Sequence, residues 1–394
     1  MSGSGNRFVG KRRLWVAATA LVCVLLAAVS ALVPLFVDSG AGGDAAAAAA
    51  REQFKYPAMK TVSALVALVE KPDARRVFLA GDAAEDKAYF DFFTHAGCIV
   101  ATEAPQGRYD IVFTTVEDLG AADAPRLDAL AALVAERGVL ACAFDAKNAS
   151  VAEMKAFIDA FQPEDAHLWM PGESSWVLVG RLVQRKVKLS AMLDVFAWDG
   201  IFEDLAEASC SSVPEAFASY TGDRTVFSPP LSSVPPDMTL SPEILVTQEP
   251  PDIEWITAGD IDDDILAKAA QEIRSMQVVR RQILQGNMLS KIGKTDDAIE
   301  KWHLAFLRNP NDTMLLERLY RLAVNARACR EIGNFKTAAK CYETMVCINP
   351  LDTLAITEYA NCLRSVGQFE LAVEAMKRVK ELKTHESTGN AEKE

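Results

Sequence analysis

Histidine is scarce in this chain: four in 394 residues, with His95, His167, His303 and His385 too far apart to form an H-x-x-x-H ligand pair. Eight cysteines are present without any C-x-x-C pair, each in apolar or small-residue surroundings, so they read as small buried hydrophobes. There is no G-x-x-x-x-G-K-[ST] phosphate loop and no G-x-S-x-G elbow. A formal charge of -13, with no long basic run beyond the N-terminus, leaves nucleic acid without an electrostatic footprint. These absences nominate no catalytic residue and no metal ligand.

What is present is a half-apolar composition on a chain long enough for two folded domains. Leu14 to Val37 carries no charge, and as a helix it would span roughly 36 Å, enough for a bilayer core. Arg7, Lys11, Arg12 and Arg13 precede it, and Asp38 and Asp44 follow. The expectation is therefore a basic cytoplasmic tail (1–13), one N-terminal transmembrane helix (14–37), a linker (38–57) and soluble domains on the extracytoplasmic side of the membrane. A cleaved secretory signal is the alternative.

Residues 58–227 alternate amphipathic, helix-length stretches with short apolar runs, which predicts an α/β domain on a mainly parallel sheet. The expected strands are Arg76 to Ala80, Cys98 to Thr102, Asp110 to Thr114, Gly138 to Phe144, His167 to Met170 and Trp176 to Gly180. Helices are expected over Glu85 to His95, Arg126 to Glu136 and Val151 to Phe161. The last two strands are joined through Pro171-Gly172-Glu173-Ser174-Ser175, a turn so tight that they must be antiparallel. With "YDIVFTTVED" (Tyr109 to Asp118), "RGVLACAFD" (Arg137 to Asp145) and "HLWMPGESSWVLVG" (His167 to Gly180), this Rossmann-like order resembles the spermidine synthase-like branch of the class I methyltransferase fold. The resemblance implies an S-adenosyl compound as cofactor, with Gly81 in the turn after the first strand and Glu103 at the ribose. It also implies two acidic residues for amine chemistry, at positions held here by Thr115 and Asp118. Threonine cannot serve as a general base near neutral pH. The expectation is a non-catalytic relative with no cofactor, the alternative being an active methyl- or aminopropyltransferase.

Prolines crowd residues 228–259, which predicts an extended connector. Beyond it a pattern recurs over 260–382: Gly293, Ala298, Trp302, Ala305 and Pro310; Gly333, Ala338, Tyr342, Met345 and Pro350; Gly367, Ala372, Met376 and Val379. The glycines are 40 and then 34 residues apart, the longer interval predicting a lengthened helix around Met314 to Ala328 or an added turn. The pattern resembles the tetratricopeptide repeat, an all-α array of helical hairpins. Such an array implies a peptide groove lined by its first helices, here Asn287, Tyr320, Arg327, Arg330, Asn361 and Arg364. Its arginines suit an acidic or C-terminal carboxylate segment of a protein partner. Alternatively, the array packs on its own α/β domain or on a second copy. The polar tail, 383–394, is expected to be disordered.

Overall fold

The computed structural model describes residues 60–391, apart from short stretches at 104–106, 117–123, 147–148, 162–164, 184–185, 199–200, 202, 206–207, 209, 211 and 246–252. A first helix, α1 (60–70), leads into β1 (Arg76–Ala80), and α2 (Lys87–His95) returns to β2 (Ile99–Ala101). Then follow β3 (Tyr109–Val116), α3 (Ala124–Ala131), β4 (Val134–Asp145), α4 (Val151–Ala160), β5 (Asp165–Trp169) and β6 (Ser175–Arg181). A short β7 (Val187–Lys188), α5 (Leu189–Phe196) and α6 (Val213–Phe217) precede β8 (Tyr220–Asp223) and α7 (Arg224–Ser232), and β9 (Ile256–Thr257) pairs with β7.

The seven-stranded sheet has the order β2-β1-β3-β4-β6-β5-β8. Strands β2, β1, β3 and β4 run parallel, and β6, β5 and β8 continue the sheet antiparallel. Alternate residues of each strand enter different cores, as the two-residue period requires. Val77, Leu79, Ile111 and Phe113 pack with α1, α2, α5 and α6, while Phe78, Val112, Leu140 and Cys142 face α3, α4 and α7. The helix expected through Glu136 ends at Ala131, because Val134 is already paired with Tyr109 in the β4 ladder. An Ala/Leu-rich run has helix propensity, but partnering in a buried sheet overrides it.

Six helices follow among the described residues: α8 (Asp263–Lys291), α9 (Thr295–Arg308), α10 (Thr313–Glu331), α11 (Phe335–Ile348), α12 (Thr353–Ser365) and α13 (Phe369–Ala391). They form three hairpins. Each hairpin turn holds a glycine with φ near +80°, at Gly293, Gly333 and Gly367, a backbone geometry that side chains disfavour. Helix α10 has 19 residues against 13 in α12, so the longer glycine interval is taken up by a lengthened helix. Helix α13 continues to Ala391, past the point where the tail was expected to begin.

Two further expectations are corrected. The proline-rich stretch is not simply extended: α7 carries Pro229 and Pro230 inside it, capped by Asp223, with Phe227 and Leu231 buried. Proline removes two helical donors there, and burial of the two apolar side chains offsets that loss. Downstream, Leu240 and Leu245 enter the core, and Val151 and Ala152 donate backbone hydrogen bonds to Met238 and Pro236. Among the described residues no helix is long and apolar enough to cross a membrane. This corrects the expectation of a single-pass membrane placement; the run from Leu14 to Val37 behind it lies outside the described residues.

A charged network is sealed beside the antiparallel strands. Glu70, the last residue of α1, pairs with Arg181, accepts from Trp169 Nε1 at 3.0 Å and lies 2.7 Å from His167 Nδ1. Asp165 stands 3.5 Å from the other ring nitrogen, and the Arg181 guanidinium lies 4.5 Å from the centre of the Trp255 ring. Burial alone would raise the Glu70 carboxyl, but Arg181 and His167 outweigh it and hold the group at about 2, against an ordinary 4.5. A depressed carboxyl stabilises the fold above its unfolded pKa, and that contribution is lost as pH falls through the folded one. Thermal melts should therefore show Tm falling between about pH 5 and pH 2. Glu70→Gln removes the nearer countercharge of the buried Arg181, leaving Asp165 at 3.8 Å, and should cost about 3 kcal/mol at neutral pH while flattening this acid limb. An acid limb equally steep in the variant would assign the pH dependence elsewhere.

Candidate functional site

Two regions were nominated by the sequence: the crevice at the carboxyl ends of the parallel strands, and the first-helix face of the array. In the crevice Gly81 follows β1 with φ of 60°. The guanidinium of Arg126, from the first turn of α3, lies where a side chain at Gly81 would have to go, so a Cβ there would collide with Nη2. That guanidinium is the tip of an exposed, flexible side chain, which can swing away from the turn. Thr114 donates to the Ala80 carbonyl at 3.2 Å, while the buried Thr115 hydroxyl has no hydrogen-bond partner among the described residues. Glu103 is exposed just past β2, and Asp118 lies outside the described residues. Burial pushes the Cys98 thiol up to about 11 and the Cys142 thiol to about 12, so neither supplies a thiolate nucleophile near neutral pH. Among the described residues no cluster of His, Cys, Asp or Glu could hold a metal ion.

The first part of the helical face is occupied by the turn between β5 and β6. Asn287, on α8, is buried; its Nδ2 donates to Glu173 Oε1 at 3.2 Å, and its Oδ1 accepts from Trp302 Nε1 at 3.1 Å. Arg321 donates to Glu173 Oε2 at 2.5 Å, and the Glu173 backbone amide donates to Glu317 at 3.1 Å. Arg318 lies 4.5 Å from the centre of the Trp302 ring and bonds Ser290. Burial raises the Glu173 carboxyl, and Arg321 acts against that. Deeper in the same seam Arg280 donates to the carbonyls of Met170 and Pro171 at 3.1 and 3.3 Å, and its Nε stands 3.3 Å from Asp312. Asp312 also caps α10, accepting from the Met314 and Leu315 amides. A narrow cavity beside the pair, lined by Cys210, Glu215, Ser219, Arg280 and Asn309, has room for about one water molecule and none for a substrate.

The other groove candidates lie on α10 and α12. Tyr320 and Arg327 are half-buried on α10. Arg330 pairs with Glu358, tying α10 to α12, and also meets Tyr342 on α11. Arg364 is exposed and donates to Asn361. The structure therefore sets Arg327 and Arg330 on the helix next to Asn361 and Arg364, and assigns Asn287 to the seam. Sequence reasoning missed Arg280, Asp312, Glu173 and Arg321. The available signals were Asp312 just before an apolar helix, and Glu317 with Arg321 at i,i+4.

No family model matches this chain, and no curated protein matches it.

Asp312→Ala removes a helix cap together with the countercharge of a guanidinium that stays buried, which should cost about 3 kcal/mol in a urea melt. Hydrogen exchange should rise first over Thr313 to Glu317, where that cap is lost. A loss below about 1 kcal/mol, with protection unchanged, would show that the seam does not depend on this pair.

Proposed function

We propose that this chain is a protein-binding scaffold whose helical hairpins, resembling tetratricopeptide units, take an acidic segment on the face of α10 and α12. The α/β body, resembling a Rossmann-like, spermidine synthase-like domain, serves as its platform. The reading rests on one observation: the seam engages Asn287, Arg280, Arg318 and Arg321, whereas Arg364 is exposed and Arg330 is paired within the array. The seam supports the reading by analogy, since it holds a carboxylate of the chain itself between an arginine and an asparagine amide. A carboxylate presented by another protein meets the same donor types at Arg327, Asn361 and Arg364.

Arg327→Glu with Arg364→Glu tests this without breaking the Arg330 pair. An array of acidic and neutral eight-residue peptides, each with a free or an amidated C-terminus, is the probe. Acidic peptides should be retained by the unaltered chain and lose at least about tenfold in the variant, with retention falling as salt is raised. Equal retention by both proteins, or retention indifferent to peptide charge, would remove the arginine face from the binding site.

The second reading is an enzyme that takes an S-adenosyl compound at Gly81 and Glu103, with the Arg126 side chain swung away from that turn. Calorimetry with S-adenosylmethionine, its decarboxylated form and the thioether product should give no binding heat. Micromolar binding that is lost in Glu103→Ala would replace the scaffold reading with a transferase.

A further inference from the structure

The second helices of the three hairpins share one register, counted from their turn glycines. Nine residues after Gly293 and Gly333 stand Trp302 and Tyr342, 1% and 3% exposed, whereas nine after Gly367 stands Met376 at 40%. Six after the glycine, Ile299 is half-buried and Ala339 buried, but Val373 is 69% exposed. Phe335 is half-buried and its counterpart Phe369 is 65% exposed. The helix is nonetheless anchored, since Ala372 and Val379 are buried. In the first two hairpins Trp302 lies between Asn287 of its own hairpin and Arg318 of the next, and Tyr342 shares a core with Ala326 of its own hairpin and with Ala355 and Cys362 of the next. On α13 the same positions keep apolar side chains with no such cover among the described residues. Phe369, Val373 and Met376 recur at i, i+4 and i+7, which gathers them into one stripe.

Charge is asymmetric along this stripe. Glu370 and Glu374 lie in its first half, and Lys377 and Lys380 in its second. Lys377 has an exposed partner in Glu381 at 3.8 Å, a weak pair that leaves it available. We propose that α13 pairs antiparallel with α13 of a second copy of this chain, burying Phe369, Val373 and Met376 of both. The antiparallel arrangement places Glu370 and Glu374 of each copy beside Lys377 and Lys380 of the other, while a parallel one would bring like charges together. It extends the stacking between hairpins across a two-fold axis, and it uses a face separate from the arginines of α10 and α12.

The test uses the full chain. Equal amounts of nitrogen-15-labelled and unlabelled protein are mixed, treated with a zero-length carbodiimide crosslinker and mapped by peptide mass. Mixed-isotope crosslinks joining Glu370 or Glu374 to Lys377 or Lys380 are expected, and they should fall at least about fivefold in Phe369→Glu with Val373→Glu. Both side chains are exposed, so helicity by circular dichroism should be unchanged. Phe369→Ser with Val373→Ser introduces no charge and should act in the same direction, and Val373→Leu should retain the crosslinks. Crosslinks confined to single copies would overturn the proposal, as would mixed crosslinks undiminished in the Glu pair or in the Ser pair. Association through any other segment would not join these four residues.

Discussion

The Arg280 guanidinium is buried between two parts of the chain that are distant in sequence. It takes carbonyl oxygens from the end of β5 and a carboxylate from the start of α10. A charge at that depth is tolerated only while all these partners hold station. Around it Val279, Ile283, Trp302 and Met314 of the helices share a core with Phe144, Trp176 and Leu178 of the sheet. The helices and the sheet are therefore parts of one packed body, and the direction in which the array leaves the sheet is set at this junction.

The six residues by which α10 exceeds α12 acquire a purpose in that light. Thr313, Glu317 and Arg318 all fall in its opening turns, where they meet Pro171, Glu173, Trp302 and Ser290. An ordinary hairpin has no residues at that place. The added length carries Thr313 and Glu317 to the turn after β5, beside the contacts that Arg280 and Asn287 of α8 make there.

Local signals were readable from the residues alone. The strand cores of β1, β3 and β6, the antiparallel closing pair and the turn glycines of the hairpins all follow from periods of two and 3.6 and from backbone sterics. What escaped depends on partners far along the chain. Strand β8 is four residues, Tyr220-Thr221-Gly222-Asp223, whose strand character comes from pairing with β5. Helix α7 forms through Pro229 and Pro230, against local propensity, because Phe227 and Leu231 have a core to enter. Glu70, His167 and Arg181 are spaced across more than a hundred residues and look like unrelated surface charges until the sheet closes over them. At the helical face, the spacing placed Asn287 with Arg330 and Arg364, but depth of burial separates them, and depth is not written in a helical period.

Among the described residues the array is held to the sheet through α8 and α10, with α13 at its far end, like a beam clamped at one end. Each hairpin leans on its neighbours, so small angular errors add along the row instead of cancelling. Force applied at the far end returns to the sheet as a torque on the turn after β5 and on the core that Trp302 shares with Trp176.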